Sequence, residues 1–232
     1  MTTISNRLQD ILATIELAKT TAPNPQQVRL LAVSKAQSAI AIREAYDAGQ
    51  KMFGENYLQE ALEKQALLTD LAIEWHFIGP IQSNKTQLIA NNFSWIHSVD
   101  RLKIAQRLND ARPKTLPPLQ ICIQVNVSDE DSKSGVIPHE LEDLVTAITA
   151  LPQLKLRGLM AIPAPSPDKN QQRAQFKQVR ECYDAVLSKG FNLDTLSIGM
   201  SDDYPIAIEQ GATIVRIGSA LFGARPQIKT NE

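Results

Sequence analysis

Lys35 closes the apolar run Leu30-Leu31-Ala32-Val33-Ser34, where a buried strand gives way to a loop. Desolvation disfavours an ammonium group, and a lysine held as the free amine can capture an aldehyde as a Schiff base. A strand-end lysine can equally snorkel to water, so the reading needs support from elsewhere in the chain. Arg216 is a guanidinium among apolar neighbours, in Ile214-Val215-Arg216-Ile217-Gly218-Ser219. It cannot shed its charge, so burial demands a carboxylate partner within the fold or a fixed acceptor. Ser201, in Gly199-Met200-Ser201-Asp202-Asp203, and the pair Gly218-Ser219 offer hydroxyl donors and a closely approachable backbone, the makings of a phosphate cradle. Ser201 taken alone reads as well as part of a helix cap.

These residues must be positioned by something, and the chain alternates short apolar runs with longer stretches of helical period, the pattern of βα units around a parallel sheet. An amphipathic helix over residues 1–19 comes first. Strands are expected at 28–34, 51–54, 74–78, 95–99, 119–127, 154–162, 195–200 and 214–221. The helix after the first strand opens at Ser38 and stops at Gly49, and others follow at 60–68, 85–90, 102–108 (with Asp100 placed to cap it), 138–150, 171–189 and 205–209. Eight units over residues 28–223 average about 24 residues each, the scale of a (β/α)8 TIM barrel of ~250 residues. The expectation is one α/β domain over residues 1–232, a TIM barrel with an extra N-terminal helix.

In such a barrel the chemistry belongs at the C-terminal ends of the strands, with phosphate commonly held after strands seven and eight. Lys35 ends strand one, Gly54-Glu55-Asn56 strand two, Asn126 strand five, and the serines and glycine above lie at strands seven and eight. An amine, an arginine and a phosphate cradle at one mouth suit a single ligand, pyridoxal 5′-phosphate: an aldehyde for Lys35, a phosphate for Ser201, Gly218 and Ser219, and a ring nitrogen for Arg216. An arginine partner keeps that nitrogen unprotonated, which makes the cofactor a poor carbanion stabiliser.

Bulk composition removes other classes. Lys and Arg number 24 against 25 Asp and Glu, a formal charge of −1 with no basic stripe, which argues against a nucleic-acid partner. The N-terminal helix is interrupted by Asp10, Glu16 and Lys19, unlike a signal peptide or a membrane span, so a cytoplasmic protein is expected. Cys122 and Cys182 share no metal-like spacing and read as reduced packing residues.

The segments Ala32-Val33-Ser34-Lys35, Phe53-Gly54-Glu55-Asn56-Tyr57, Trp75 to Lys85, Ser197 to Asp203 and Val215 to Gly223 together resemble the pyridoxal phosphate homeostasis family, called YggS in bacteria and PROSC or PLPBP in animals. The match runs over nearly the full length in the family's order. It implies that Lys35 carries the cofactor as an aldimine, that Asn56 contacts it near the ring, that Arg216 faces the pyridine nitrogen, and that Ser201, Gly218 and Ser219 hold the phosphate. Ser219 stands where many relatives have threonine, and the hydroxyl is kept. The resemblance further implies a monomeric barrel related to the N-terminal domain of alanine racemase. Such a protein has no catalytic turnover and stores, buffers or delivers the cofactor, with pyridoxal-phosphate-dependent apoenzymes as recipients and indirect effects on amino-acid and keto-acid balance. His76, Asn84, Lys85 and Ser132-Lys133-Ser134-Gly135 also fit the family pattern. His76 reads as a satisfied core histidine, Asn84 and Lys85 as a solvated helix start, and Lys133 as a surface amine or a second, transient landing point for the aldehyde.

Two rivals share these residues. A pyridoxal-phosphate amino-acid racemase needs a second acid/base on the opposite face of the substrate carbon. Barrel racemases take it from a tyrosine in a separate domain of a partner subunit, and Tyr46, Tyr57, Tyr183 and Tyr204 have no such domain behind them. A lysine-dependent aldolase would use Lys35 on a ketone and the cradle on a sugar phosphate.

Overall fold

The computed structural model describes residues 3–22, 28–128 and 134–223, and the Lys133 reading falls outside them. In chain order the elements are α1 (Ile4–Lys19), β1 (Arg29–Val33), α2 (Ala39–Asp47), β2 (Met52–Glu55), α3 (Leu58–Leu67), β3 (Glu74–Phe77), α4 (Thr86–Asn92), β4 (Trp95–Val99), α5 (Leu102–Ala111), β5 (Leu119–Gln124), α6 (Leu141–Thr149), β6 (Leu154–Met160), α7 (Lys169–Ser188), β7 (Thr195–Ser197), α8 (Tyr204–Glu209), β8 (Ile214–Ile217) and α9 (Ser219–Phe222). The strands pair in parallel in sequence order and β1 pairs β8, so the sheet closes into the expected barrel.

Alternation along each strand sorts the side chains into two environments. Leu30 and Ala32 of β1, Phe53 of β2 and Ile96 of β4 face the helices, in the core that the apolar helix stripes cover. Inside the barrel lie Trp95, Cys122 and Met160, together with buried polar residues His76, His97, Ser197 and Arg216. The Cys122 thiol is pushed up to about 12 by burial, which makes it an inert packing group. Helix α1 buries Ile4, Leu8, Ile11 and Ile15 on one stripe against α8, α9 and α2. Arg7 Nε donates to the Leu221 carbonyl at 2.5 Å, which braces the turn after β8.

Several strands stop sooner than the apolar runs suggest. Strand β8 ends at Ile217 instead of Leu221, because Phe222 N–H returns to the Gly218 carbonyl and residues 219–222 coil into α9. Strand β7 ends at Ser197, two residues before Gly199 turns the chain at φ +89. A Cβ on Gly199 would meet Ala207 Cβ at 2.6 Å, so close approach and backbone sign both require glycine there. Strands β5 and β6 end at Gln124 and Met160, short of the expected 127 and 162, while β2 continues one residue further to Glu55. Ser38 caps α2 as expected, its Oγ accepting from Ala41 N–H. Asp100 does not cap α5: its carboxylate accepts from the Arg101 guanidinium at 2.7 Å, and the helix starts with no side-chain cap. Among the described residues no helix is long and apolar enough to cross a membrane.

Candidate functional site

Lys35 follows β1 in a tight turn in which the Ser34 carbonyl accepts from Gln37 N–H. Its neighbours on both sides are fixed from behind. The Ser34 hydroxyl donates to Glu55 Oε1 at 2.6 Å, and Lys64 Nζ on α3 donates to the Ser34 carbonyl at 2.7 Å. On the other side Ala36 N–H donates to Glu60 Oε1 at 2.6 Å, with Ala36 at φ +58, a left-handed backbone that costs an ordinary residue roughly 1–2 kcal/mol. Lys64 joins the two halves through ion pairs to Glu55 at 2.8 Å and Glu60 at 2.5 Å. Glu55 is wholly buried, and burial raises its carboxyl above the usual range against the pull of Lys64. None of Glu55, Glu60 and Lys64 was singled out from sequence as a clamp. The available signal was Lys64 itself, three residues after the buried Ala61 on the core face of α3.

Asn56 follows β2 and is held by contact with the β3 loop. Gly79 lies so close that a Cβ there would overlap the Asn56 carbonyl. Asn56 Oδ1 is buried with no hydrogen-bond partner, an acceptor that a ligand must satisfy if it is to be satisfied at all.

Arg216 on β8 is 4% exposed. No carboxylate pairs with it among the described residues, so the structure departs from the alternative of an internal Arg–acid pair. Its Nη1 donates to the Ser197 carbonyl at 2.5 Å and to Ser197 Oγ at 2.9 Å, and Nη2 to the Ala161 carbonyl at 2.9 Å. Burial pulls its pKa down to about 10, which leaves it charged at neutral pH. Ser201, after β7, accepts on Oγ from Ala220 N–H at 3.3 Å, so the loops after β7 and β8 are joined directly. Asp203 takes the capping position at α8, and its Oδ1 accepts from Met200 N–H at 2.6 Å.

Lys35, Asn56, Ser201, Arg216, Gly218 and Ser219 all line one pocket of about 250 Å³ at the barrel mouth, with Val33, Ile78, Ile162 and Met200 among its apolar walls. Asn126 is not in it: its Oδ1 accepts from Ser128 N–H and Oγ, and it lines a larger groove of about 720 Å³ beside α6 and α7. That groove is bigger, but its one amine, Lys189, has no guanidinium beside it in the lining, so the mouth pocket is the better candidate. Asn84 and Lys85 are exposed in a short turn before α4, and His76 is buried in the barrel. The mouth therefore offers a half-buried amine, a fixed cation, an unsatisfied amide oxygen and hydroxyls beside closely packed backbone. Such a set suits a flat, polar, anionic molecule with an electrophilic carbon. Asn56 lines the same pocket as Lys35 and Arg216 and carries a buried amide oxygen with no partner, a set that fits pyridoxal 5′-phosphate, whose polar ring edge lies between its aldehyde and its nitrogen.

Comparison with known proteins bears on this directly. The family model described as "Alanine racemase, N-terminal domain" matches residues 7–226. The chain is 58% identical over 226 residues to the pyridoxal phosphate homeostasis protein of Pseudomonas aeruginosa, covering 97% of each. It is 49% identical over 233 residues to the protein of the same name from Escherichia coli, covering 99% of this chain and 100% of the other. Among solved structures it is similar to PipY of Synechococcus elongatus with PLP bound, at a TM-score of 0.85 and 38% identity over 95% of this chain and all of that one.

Proposed function

The chain belongs to the pyridoxal phosphate homeostasis proteins built on the alanine racemase N-terminal domain, and from that premise we propose that it binds pyridoxal 5′-phosphate covalently through Lys35 and serves intracellular supply of the cofactor without turnover of its own. The observation that carries this reading is the convergence of Lys35, Asn56 and Arg216 with the Ser201, Gly218 and Ser219 loops on one small pocket. Lys35 supplies the amine that condenses with the aldehyde, releasing water. With the cofactor bound, Arg216 would face the ring nitrogen and hold it unprotonated, Asn56 would meet the ring edge, and Ser201, Gly218 and Ser219 would take the phosphate. The cofactor supplies an electrophilic carbon and a conjugated ring, and with an arginine at the ring nitrogen it is a weak electron sink.

The absence of turnover is supported by the placement of the tyrosines. None of the four lines the pocket among the described residues, so the tyrosine that a barrel racemase uses is not supplied there by them. The relatives are named for homeostasis and not for a reaction. We read the whole chain as one barrel domain, a cytoplasmic monomer that hands cofactor to apoenzymes requiring it.

The test is spectroscopic and chemical. Purified protein given pyridoxal phosphate is expected to show a visible absorbance band that borohydride abolishes, with the retained mass mapping to the Lys35 peptide. Lys35→Ala should lose band and label yet unfold at an unchanged denaturant midpoint, since a strand-end amine contributes little packing. Label confined to another lysine, or steady formation of a D-amino acid from its L form, would overturn the proposal.

A further inference from the structure

Four strands contribute to one line of hydrogen bonds through the barrel interior. Glu74 Oε1, on the floor with its side chain 41% exposed, meets His76 Nε2 at 2.8 Å. His76 Nδ1 meets His97 Nε2 at 2.9 Å, and His97 Nδ1 meets Ser197 Oγ at 2.9 Å. Ser197 Oγ accepts from Arg216 Nη1 at the mouth. His76, His97 and Ser197 are wholly buried, and the His76 ring stacks on Trp95 at 5.3 Å with the planes 9° apart.

The direction of every bond follows from the Glu74 end. An ionised carboxylate only accepts, so His76 carries its proton on Nε2 and gives it to Glu74, leaving Nδ1 as an acceptor. His97 then carries its proton on Nε2 and gives it to His76 Nδ1, so His97 Nδ1 accepts from the Ser197 hydroxyl, whose oxygen accepts from Arg216. With neutral imidazoles and an ionised Glu74, this is the one polarity in which no two lone pairs and no two protons face each other. Burial chiefly keeps both imidazoles neutral, lowering them from their ordinary value. Arg29 of β1 acts in the same sense on each and Arg216 of β8 on His97, while the Glu74 carboxylate pulls His76 the other way. Arg157 of β6, paired with Asp194, lies over Trp95, and the buried Cys122 thiol stays protonated.

We propose that Glu74, His76, His97 and Ser197 form a positioning relay of fixed polarity that sets the orientation of the Arg216 guanidinium from the opposite end of the barrel. A proton arriving at the floor would reverse every bond, turning His97 Nδ1 from acceptor to donor and depriving the Ser197 hydroxyl of its target. The relay deepens the reading of Arg216 as the partner of the cofactor's ring nitrogen and rests on it for its functional consequence, whereas the polarity itself is a property of the protein alone.

Two measurements keep these apart. Because the chain has three histidines, long-range ¹H–¹⁵N spectra of histidine-labelled protein without added cofactor are readily assigned. At neutral pH His76 and His97 should both show the neutral form protonated on Nε2, and a proton on Nδ1 of either, or a cation, would overturn the relay. In a second arm, pyridoxal phosphate is titrated by absorbance. Glu74→Gln keeps an acceptor for His76 but removes the charge, and should change the apparent dissociation constant about fivefold, the lower end of typical coupling between sites. In a Ser197→Ala background, which leaves Arg216 its backbone acceptors, the same substitution should have less than half that effect. Equal effects in both backgrounds would refute transmission through Ser197. Failure of the parent protein to bind pyridoxal phosphate would remove the cofactor reading while the spectra still decide the relay.

Discussion

Replacing Lys64 by methionine tests the clamp behind Lys35 most directly. The side chain keeps its length and apolar stem but loses the ammonium that pairs with Glu55 and Glu60 and donates to the Ser34 carbonyl. Glu55 is wholly buried, and one of its oxygens already has no partner, so removing Lys64 leaves a buried carboxylate with only the Ser34 hydroxyl. Breaking a buried pair from one side costs about 3–5 kcal/mol. Glu55 escapes part of that by taking a proton, a step its raised pKa favours, so the loss should lie near the lower figure and shrink as the pH falls. A loss of ~3 kcal/mol corresponds to roughly 6–12 °C in Tm for a chain of this size. The second variant is Glu55→Gln combined with Lys64→Met, which removes both charges. Replacing both partners of a buried pair is far cheaper than removing one, so the double variant should recover at least about 2 kcal/mol relative to the sum of the singles. Urea denaturation at neutral pH, followed by circular dichroism, measures the cycle. A single substitution within about 1 kcal/mol of the parent, or strictly additive singles, would show that the three charges act as a solvated surface cluster and not as a buried clamp.

Gly79→Ala places a methyl group inside the Asn56 carbonyl, so the β2 and β3 loops must separate. A cost of about 2 kcal/mol or more is expected, with pyridoxal phosphate affinity falling further than under Gly190→Ala, where the added Cβ meets nothing within 4 Å. Equal affinities for the two would show that Asn56 does not depend on this contact. Acid should destabilise the protein well before its carboxylates titrate. His76 and His97 have folded values below the unfolded 6.5, so the unfolded chain binds the extra protons. The stability they contribute is complete above 6.5 and is lost as the pH falls from there towards the folded values, with His97, the further lowered of the two, contributing the larger share. A urea midpoint that stays flat across that interval would contradict neutral, buried imidazoles. Glu55, raised in the folded state, works in the opposite sense and only nearer the carboxylate range.

The barrel was legible because eight apolar runs at regular spacing leave little else for the chain to form. Its strand ends were less so, since an apolar run does not record where the ladder stops. At Gly218 the chain turns into α9 while staying apolar through Phe222, and at Gly199 a left-handed residue ends β7 within a run that reads as continuous strand. Lys35, Arg216, Ser201, Gly218 and Ser219 stood out as polar or permissive residues at strand ends, and they meet in one pocket. Asn126 stood out for the same reason and does not join them: β5 ends at Gln124, Val125 forms an isolated bridge with Val136, and the Asn126 side chain turns to Ser128. The residues behind the site were hidden for a different reason. Glu55 meets Lys64 through the face of α3, His76 meets His97 through the register of β3 on β4, and His97 meets Ser197 of β7 across the barrel interior, none of which is written in local periodicity.

Both hidden groups serve the same physical end. A cation cannot be left in a barrel interior without acceptors, and a left-handed alanine is not held by its own preferences, so each pocket group that is costly to fix is fixed from behind by buried polar partners. Arg216 is oriented by Ser197 on β7 and Ala161 just after β6, and the Lys35 turn by Glu55, Glu60 and Lys64 on β2 and α3. The ordering entropy of these side chains is therefore spent at folding and not at ligand capture. A pocket so arranged can bind a small anionic aldehyde with few contacts of its own. It also makes Lys64 and Glu74, neither of which lines the pocket, positions from which a substitution outside the mouth should reach the ligand.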